Sequence, residues 1–296
     1  MKKIGAILMA AAMSMSLVSC GDDDKEIIDG GLLVFGVEPE EMFSYVYNEA
    51  SGQANLYDNV GVAVATTRVK DATIIIENAR FAEQMPAITF KLEDLINTPT
   101  YPYEYLINGE NLTPMVGEKA MDNYEVDDLE FKVVMRGFIE TIGYNCPPAI
   151  KCAYTVNDMI KVRMLLKENG YTGDTNVKCE AAGTSFDNAN TVYHVSLDPK
   201  TKQADLKIYG AKFAERMPAM DMEFKDVPFE ATLDGYTLAS ESLIPEIDDV
   251  PYEGYPITNL SGTSDFEGNM VLKFVCTIRG VAYEVSANLY VPEQKW

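Results

Sequence analysis

The chain holds a single histidine, His194, in the run TVYHVSL. A serine or cysteine nucleophile needs a base beside it, most often an imidazole. Strand alternation turns Tyr193, Val195 and Leu197 inward and leaves His194 on the other face with Val192 and Ser196. It reads as an exposed strand histidine rather than a catalytic one. The 46 acidic residues could supply many carboxylate pairs for glycoside hydrolysis, but such a pair leaves no signature of its own in a sequence. No G-x-S-x-G, P-loop, G-x-G-x-x-G or H-E-x-x-H pattern occurs. No catalytic residue is assigned, the chain is read as non-enzymatic, and no cofactor is expected.

Metal binding is not expected either. Asp127-Asp128, and Asp248-Asp249 beside Glu246, lack the alternating oxygen-ligand spacing of a calcium loop and read as solvated acids. There is no C-x-x-C, so a zinc site has little to draw on. Cysteines 146, 152, 179 and 276 remain after Cys20. Outside the cytoplasm they allow three pairings, of which Cys146–Cys152 and Cys179–Cys276 respect the domain halves; buried free thiols are the alternative.

Binding chemistry has one clear candidate. In TPTYPYEYLI, Tyr101, Tyr103 and Tyr105 alternate along a strand and face one side. Such a row either carries sugar rings on its apolar faces or roofs the core. The second half of the chain has FEATLDGYTL there, without the stripe, and the sole tryptophan is the last residue, Trp296.

The elements that position these groups come from a duplication. Ala72–Asp94 aligns on Ala204–Asp226 without a gap, with ten identities in 23 positions. YEVDDL (Tyr124–Leu129) answers YPITNL (Tyr255–Leu260) downstream, and Lys151–Leu166 answers Lys273–Tyr290. A repeat this long is a duplicated domain, not a solenoid unit. VGVAVATT, ATIIIEN and AITFKL in one half, and TVYHVSL, ADLKIYG and VAYEVSANLYV in the other, predict strands. Asn157-Asp158 and Arg279-Gly280 each predict a two-residue hairpin turn. The repeated RFAEQMP and KFAERMP predict a corner whose Phe and Met point into the core, with Glu83 and Glu215 exposed. The expected fold is all-β: two tandem homologous antiparallel barrel or sandwich domains of seven or eight strands, at 31–168 and 172–296.

At the N-terminus, Lys2 and Lys3 precede a short apolar stretch, Ile4 to Val18, and then Leu17-Val18-Ser19-Cys20. That stretch is too short to span a bilayer and reads as a signal peptide, residues 1–19. Its end resembles the bacterial lipobox, which implies lipidation at Cys20 and anchoring to a membrane. GDDDKE follows, and residues 20–30 read as an acidic tether. Cleavage would remove Lys2 and Lys3 and no acid, leaving 22 basic residues against 46 acidic, a net charge of −24. Such a chain is a poor partner for nucleic acid, and none is expected.

The acidic run resembles the surface-export signal of Bacteroidetes lipoproteins, which implies cell-surface display; the periplasmic face is the alternative. With the A-[RK]-F-A-E-x-M-P-A corner, the Y-x-[VI]-x-x-L strand and the terminal hairpins, the chain resembles the calycin-like (lipocalin-like) lipoproteins of that phylum. That resemblance implies small antiparallel barrels of unassigned function, with no catalytic residues to carry over. The expectation is an outer-membrane lipoprotein that binds a small ligand, glycan or lipid, or alternatively a scaffold or adhesion module that binds another protein. A ligand-sized cavity favours the first; filled barrels with an exposed apolar patch favour the second.

Overall fold

A computed structural model of the chain describes residues 32–67, 72–100, 104–134, 138–139, 144–145, 149–188 and 191–291. Apart from short 3-10 turns, the described elements are strands, as expected. The chain divides into two compact units, Met1–Lys132 with Cys152–Met164, and Val133–Lys151 with Leu165–Trp296.

The first half of the chain forms β1 (Leu32–Val37), β2 (Met42–Asn48), β3 (Gln53–Asp58), β4 (Gly61–Thr67) and β5 (Ala72–Ala79). It continues with β6 (Ile88–Thr100), β7 (Glu104–Gly109), β8 (Met115–Val116), β9 (Lys119–Ala120) and β10 (Val126–Val134). The short β11 (Phe138–Ile139) and β12 (Tyr144–Asn145) pair with each other, and β13 (Ala149–Val156) and β14 (Ile160–Leu166) close this half. Sheet order is β1-β4-β5-β6-β7-β10-β13-β14-β2-β3.

The second half forms β15 (Glu168–Cys179), β16 (Thr184–Asn188), β17 (Val192–Asp198), β18 (Gln203–Ala211) and β19 (Met220–Thr232). Then come β20 (Gly235–Leu243), β21 (Glu246–Ile247), β22 (Val250–Pro251), β23 (Ile257–Asp265), β24 (Asn269–Ile278) and β25 (Val281–Tyr290). Here the order β18-β17-β15-β25-β24-β23-β20-β19 returns to β18, so eight strands close a barrel without a free edge.

The two halves match down to their irregularities. Left-handed backbone occurs at Asn78 and Gly210, at Asp94 and Asp226, and at Asp128 and Asn259. Only Gly, Asn and Asp adopt that conformation readily, so these residue types are what the bends require. Register shifts between Ala72 and Ile74, and between Ile76 and Ala79, recur between Ala204 and Leu206 and between Ile208 and Ala211. The corner repeats as well: Met85 N–H donates to Ala82 C=O at 3.1 Å, and Met217 N–H to Ala214 C=O at 3.0 Å. It is a single turn that drives Phe81 and Phe213 into the core while Glu83 and Glu215 stay exposed. The Arg279-Gly280 turn has two loop residues, as expected. The Asn157-Asp158 turn takes Met159 as a third, because Val156 pairs with Ile160.

One strand differs. In β15 the first residues pair with β17, and Thr172–Lys178 pair with β25. In the first half these two roles fall to β1 and β2, separated by Glu38 and a 3-10 turn, Pro39–Glu41. The described pairings therefore leave that sheet open between β1 and β3, with Val60 N–H to Met42 C=O at 3.4 Å bridging β2 to the approach of β4.

Candidate functional site

The inward rows of the second-half barrel are filled. Tyr171, Tyr193, Phe213 and Phe224 are among its largest fully buried side chains, and they meet Met222, Leu272 and Ile208 in the same interior. Its hydroxyls bond to one another: Tyr171 Oη lies 2.9 Å from Tyr236 Oη and 2.8 Å from Ser264 Oγ, and Thr175 Oγ1 lies 2.8 Å from Tyr193 Oη. Burial pushes the Tyr193 hydroxyl well above its ordinary value, so it stays a neutral hydrogen-bonding group. These are structural contacts, and they occupy the positions from which a ligand would be held.

The first half is less complete. Pairing places Ser44 opposite Tyr57 as it places Thr175 opposite Asn188, and Val62 at the register of Tyr193. Ser44 Oγ, at 2% residue exposure, lacks the partner that Thr175 has, and the Tyr57 hydroxyl is also buried without one. Burial and the charge of Glu83 push the Tyr57 hydroxyl above its ordinary value, against an opposing pull from Arg80, so it stays neutral.

His194 lies on the face opposite Tyr193, Val195 and Leu197, as its alternation required, but it is half-buried there, and Val192, expected on the same face, is buried. Its Nε2 is 3.1 Å from Glu168 Oε2, and Ser196 Oγ donates to Glu168 Oε1 at 2.6 Å. A serine–histidine–acid set is present, but in the wrong order: both side chains turn to the carboxylate, so Ser196 hands its proton toward Glu168 and gains no imidazole base. The first half has no counterpart: the ungapped alignment sets Val62 against His194, but the pairing to β5 puts Ala63 at the histidine's register. Partial burial raises the Glu168 carboxyl, but the hydrogen bonds from His194 and Ser196 and the histidine's charge outweigh it and hold the group below its ordinary value. A lowered folded value means that the carboxylate adds stability above the ordinary 4.5 and loses it as pH falls through the folded value. The side chain is 52% exposed, so Glu168→Gln is expected to cost under about 1 kcal/mol near neutral pH. Urea midpoints taken from pH 7 downward should show that difference closing below pH 4.5.

Of the two alternatives for the cysteines, the structure has the buried free thiols. Cys152, Cys179 and Cys276 are free and buried; Cys146, the expected partner of Cys152, lies outside the described residues. Register explains the second pair: Cys276 is opposite Tyr283, and one step beyond Lys178↔Glu284 brings Cys179 opposite the same tyrosine from the other side. Two strand spacings, about 10 Å, exceed the reach of a disulfide, about 7 Å between Cα atoms. Burial pushes the Cys276 thiol up to about 12. Cys152 reaches the same value by burial, against a small opposing pull from Arg163. A maleimide added to folded residues 21–296 is therefore expected to leave these three cysteines unmodified and to label them in urea. Rapid native labelling of any of the three would show that its strand opens.

Of the tyrosine stripe, Tyr101 and Tyr103 lie outside the described residues. Tyr105 opens onto β7, where its backbone pairs with Pro99, and its side chain is likewise undescribed. Cys20 and Trp296 are outside the described residues too. No cluster of His, Cys, Asp and Glu that could hold a metal occurs among the described residues. Asp127 accepts from Asn111 N–H at 2.6 Å, and Asp248 and Asp249 form a left-handed turn.

That turn belongs to a feature that the motifs and the strand periodicity do not mark. Between β20 and β23 the chain leaves the ring to make the β21–β22 hairpin, which is tied to β19 through Glu223↔Glu246 and closed by Tyr252 N–H to Pro245 C=O at 2.8 Å. It exposes Ile244 (48%), Val250 (62%) and Tyr252 (46%), and the Tyr252 and Tyr255 rings lie with centroids 5.2 Å apart and planes tilted by 32°. Gly254 lies under the Tyr252 ring, where a Cβ would come within 2.4 Å of it. The β8–β9 hairpin is the same device: Lys91↔Met115 ties it to β6, and Met121 N–H donates to Pro114 C=O at 2.9 Å. Yet Thr113, Lys119 and Met121 stand where Ile244, Val250 and Tyr252 stand. The signal that could have found the apolar tip from sequence is a comparison of the halves across this hairpin.

No family model and no curated protein matches the chain. Among solved structures, the chain is similar to two mutants of the vaccine antigen transferrin binding protein B from Haemophilus parasuis Hp5. For a double mutant the TM-score is 0.24 at 10% identity, covering 90% of this chain and 77% of that one. For a single mutant the values are 0.22 and 10%, covering 88% and 76%. A likeness at such scores bears on neither mechanism nor partner.

Proposed function

We propose that the chain is a bacterial lipoprotein, anchored to the outer membrane through Cys20 and displayed on the cell surface, whose two calycin-like domains (31–168 and 172–296) are scaffolds, the second of them filled, that dock another protein. The packed interior of the second-half barrel, with its hydroxyls bonded to one another, carries this reading. A barrel that spends its interior on side chains leaves recognition to its outside. The acid-rich composition keeps such a displayed module soluble and away from anionic surfaces.

Binding of a small ligand or glycan is the second reading, and it is confined to the first domain. Two observations favour it there: the unpartnered hydroxyls of Ser44 and Tyr57, and the Tyr101, Tyr103 and Tyr105 stripe in the sequence. Thermal unfolding of residues 21–296 with glycans, bile acids, fatty acids and haem separates the two. A bound ligand at 100 times its dissociation constant adds about 2.7 kcal/mol and raises the midpoint by several degrees. The docking reading expects no shift across the panel. A shift that shrinks in Tyr103→Ala would replace it with the ligand reading. Anchoring is tested on intact cells, where Cys20→Ala should release the protein and added protease should cleave the parent.

A further inference from the structure

We infer that the β21–β22 hairpin is the docking element, and that its partner is a protein presenting an apolar pocket within a basic rim. This rests on the docking reading above and names the chemistry of that partner. The two hairpins are one device, with the same buried proline, the same closing hydrogen bond and the same tie to the sheet. Framework shared and tip rewritten is what a scaffold with a specialised contact surface looks like. Ile244, Val250 and Tyr252 place three large apolar groups in water at one tip, where Thr113, Lys119 and Met121 give the first half a more polar one. Pro245, between Ile244 and the hairpin, is buried, as Pro114 is at the matching place in the first half, so the framework beneath the tip is the same in both.

Charge selects the occupant. From Met220 to Asp265 there are eleven acidic residues and one basic one, Lys225, which is already paired with Glu246. Glu241, Asp248, Asp249 and Glu253, in and beside the hairpin, are exposed. An acidic or neutral partner would meet this field at a cost, whereas a basic one is drawn to it and then held by apolar contact. Tyr252, with the Tyr255 ring tilted against it and Gly254 leaving room beneath it, supplies an aromatic anchor of the kind that dominates interfaces.

The test uses the full chain in its own cells with the photoreactive residue p-benzoylphenylalanine at position 250, and in separate strains at Ile96 and Val271, which are exposed elsewhere. Adducts are identified by mass spectrometry. The inference expects an adduct at position 250 with a basic protein. Its yield should fall roughly tenfold in D248N/D249N and at high salt, as steering between opposite charges requires. It should fall again in Tyr252→Ser. Asparagine keeps the left-handed turn, so the double variant tests charge without breaking the hairpin. Adducts only at positions 96 or 271, an acidic partner at 250, or a yield indifferent to salt would overturn this inference and leave the docking reading standing. No adduct at any of the three positions would overturn both.

Discussion

Phe213→Ala is expected to destabilise the protein by about 3–5 kcal/mol. Phe213 is fully buried, and its ring meets Phe274 edge-on at 5.2 Å. It stands on a one-turn corner rather than within a strand, so no ladder holds the neighbouring backbone in place once the ring is gone. The corner is fixed instead by contacts the ring itself organises, among them the Phe213 N–H directed at Met217 Sδ at 3.2 Å. For a domain of this size the midpoint should drop by about 10–20 °C. Phe81→Ala should cost less. Phe81 packs against Phe90, Tyr124 and Tyr154 at centroid distances of 6.0, 6.0 and 6.3 Å. Its corner methionine is only half-buried, so the site can relax. Thermal and urea unfolding of both variants of residues 21–296 check this. A loss under about 1 kcal/mol at Phe213 would mean that the corner is an ornament on the barrel rather than its plug.

The duplication was what made this fold legible. Identities such as Phe81/Phe213, Pro86/Pro218 and Asp94/Asp226 marked where the chain bends, and the alternating runs marked the strands between. The reason for the Asp94/Asp226 identity was not legible, because a left-handed bulge inside a long strand leaves no local signal beyond one tolerant residue type. Register was beyond the sequence too. The one-residue shift that puts Ala63 rather than Val62 at the histidine's register follows from ladder pairing, and so does the tyrosine standing between Cys179 and Cys276. Sequence separation placed those cysteines at the two ends of one domain; only the strand order shows that they are next-but-one neighbours.

The candidate surface escaped for a different reason. Short runs of Val, Ile and Tyr read as core, and Ile244, Val250 and Tyr252 are residue types that buried strands use. What distinguishes them is that their hairpin is only two residues wide on each side and leaves the ring, so its apolar side chains have no opposite wall. Exposure is a property of topology there, and it becomes visible only against the first half, where the matching positions are Thr113, Lys119 and Met121.

The same comparison of halves sets up a prediction inside the barrel. Thr175→Val keeps shape and removes a hydroxyl, so the Tyr193 hydroxyl, wholly buried 2.8 Å away, loses its bonded partner. A buried polar group left that way costs about 1–3 kcal/mol. Tyr193→Phe should impose a similar loss by stranding Thr175 Oγ1. The double variant, which removes both hydroxyls, should recover most of it, giving a coupling energy of at least about 1 kcal/mol in a urea double-mutant cycle. The first half has already lost one member of this pair: Val62 stands at the tyrosine's register, and Ser44 Oγ is buried without a partner. Ser44→Ala should therefore be close to neutral, within about 0.5 kcal/mol, because it removes an unmet hydrogen-bonding group rather than a bond. Equivalent positions would then respond with different magnitudes for a physical reason. If Ser44→Ala instead costs as much as Thr175→Val, the serine hydroxyl is held by a bound molecule, and the small-ligand reading of the first domain gains the support it lacks.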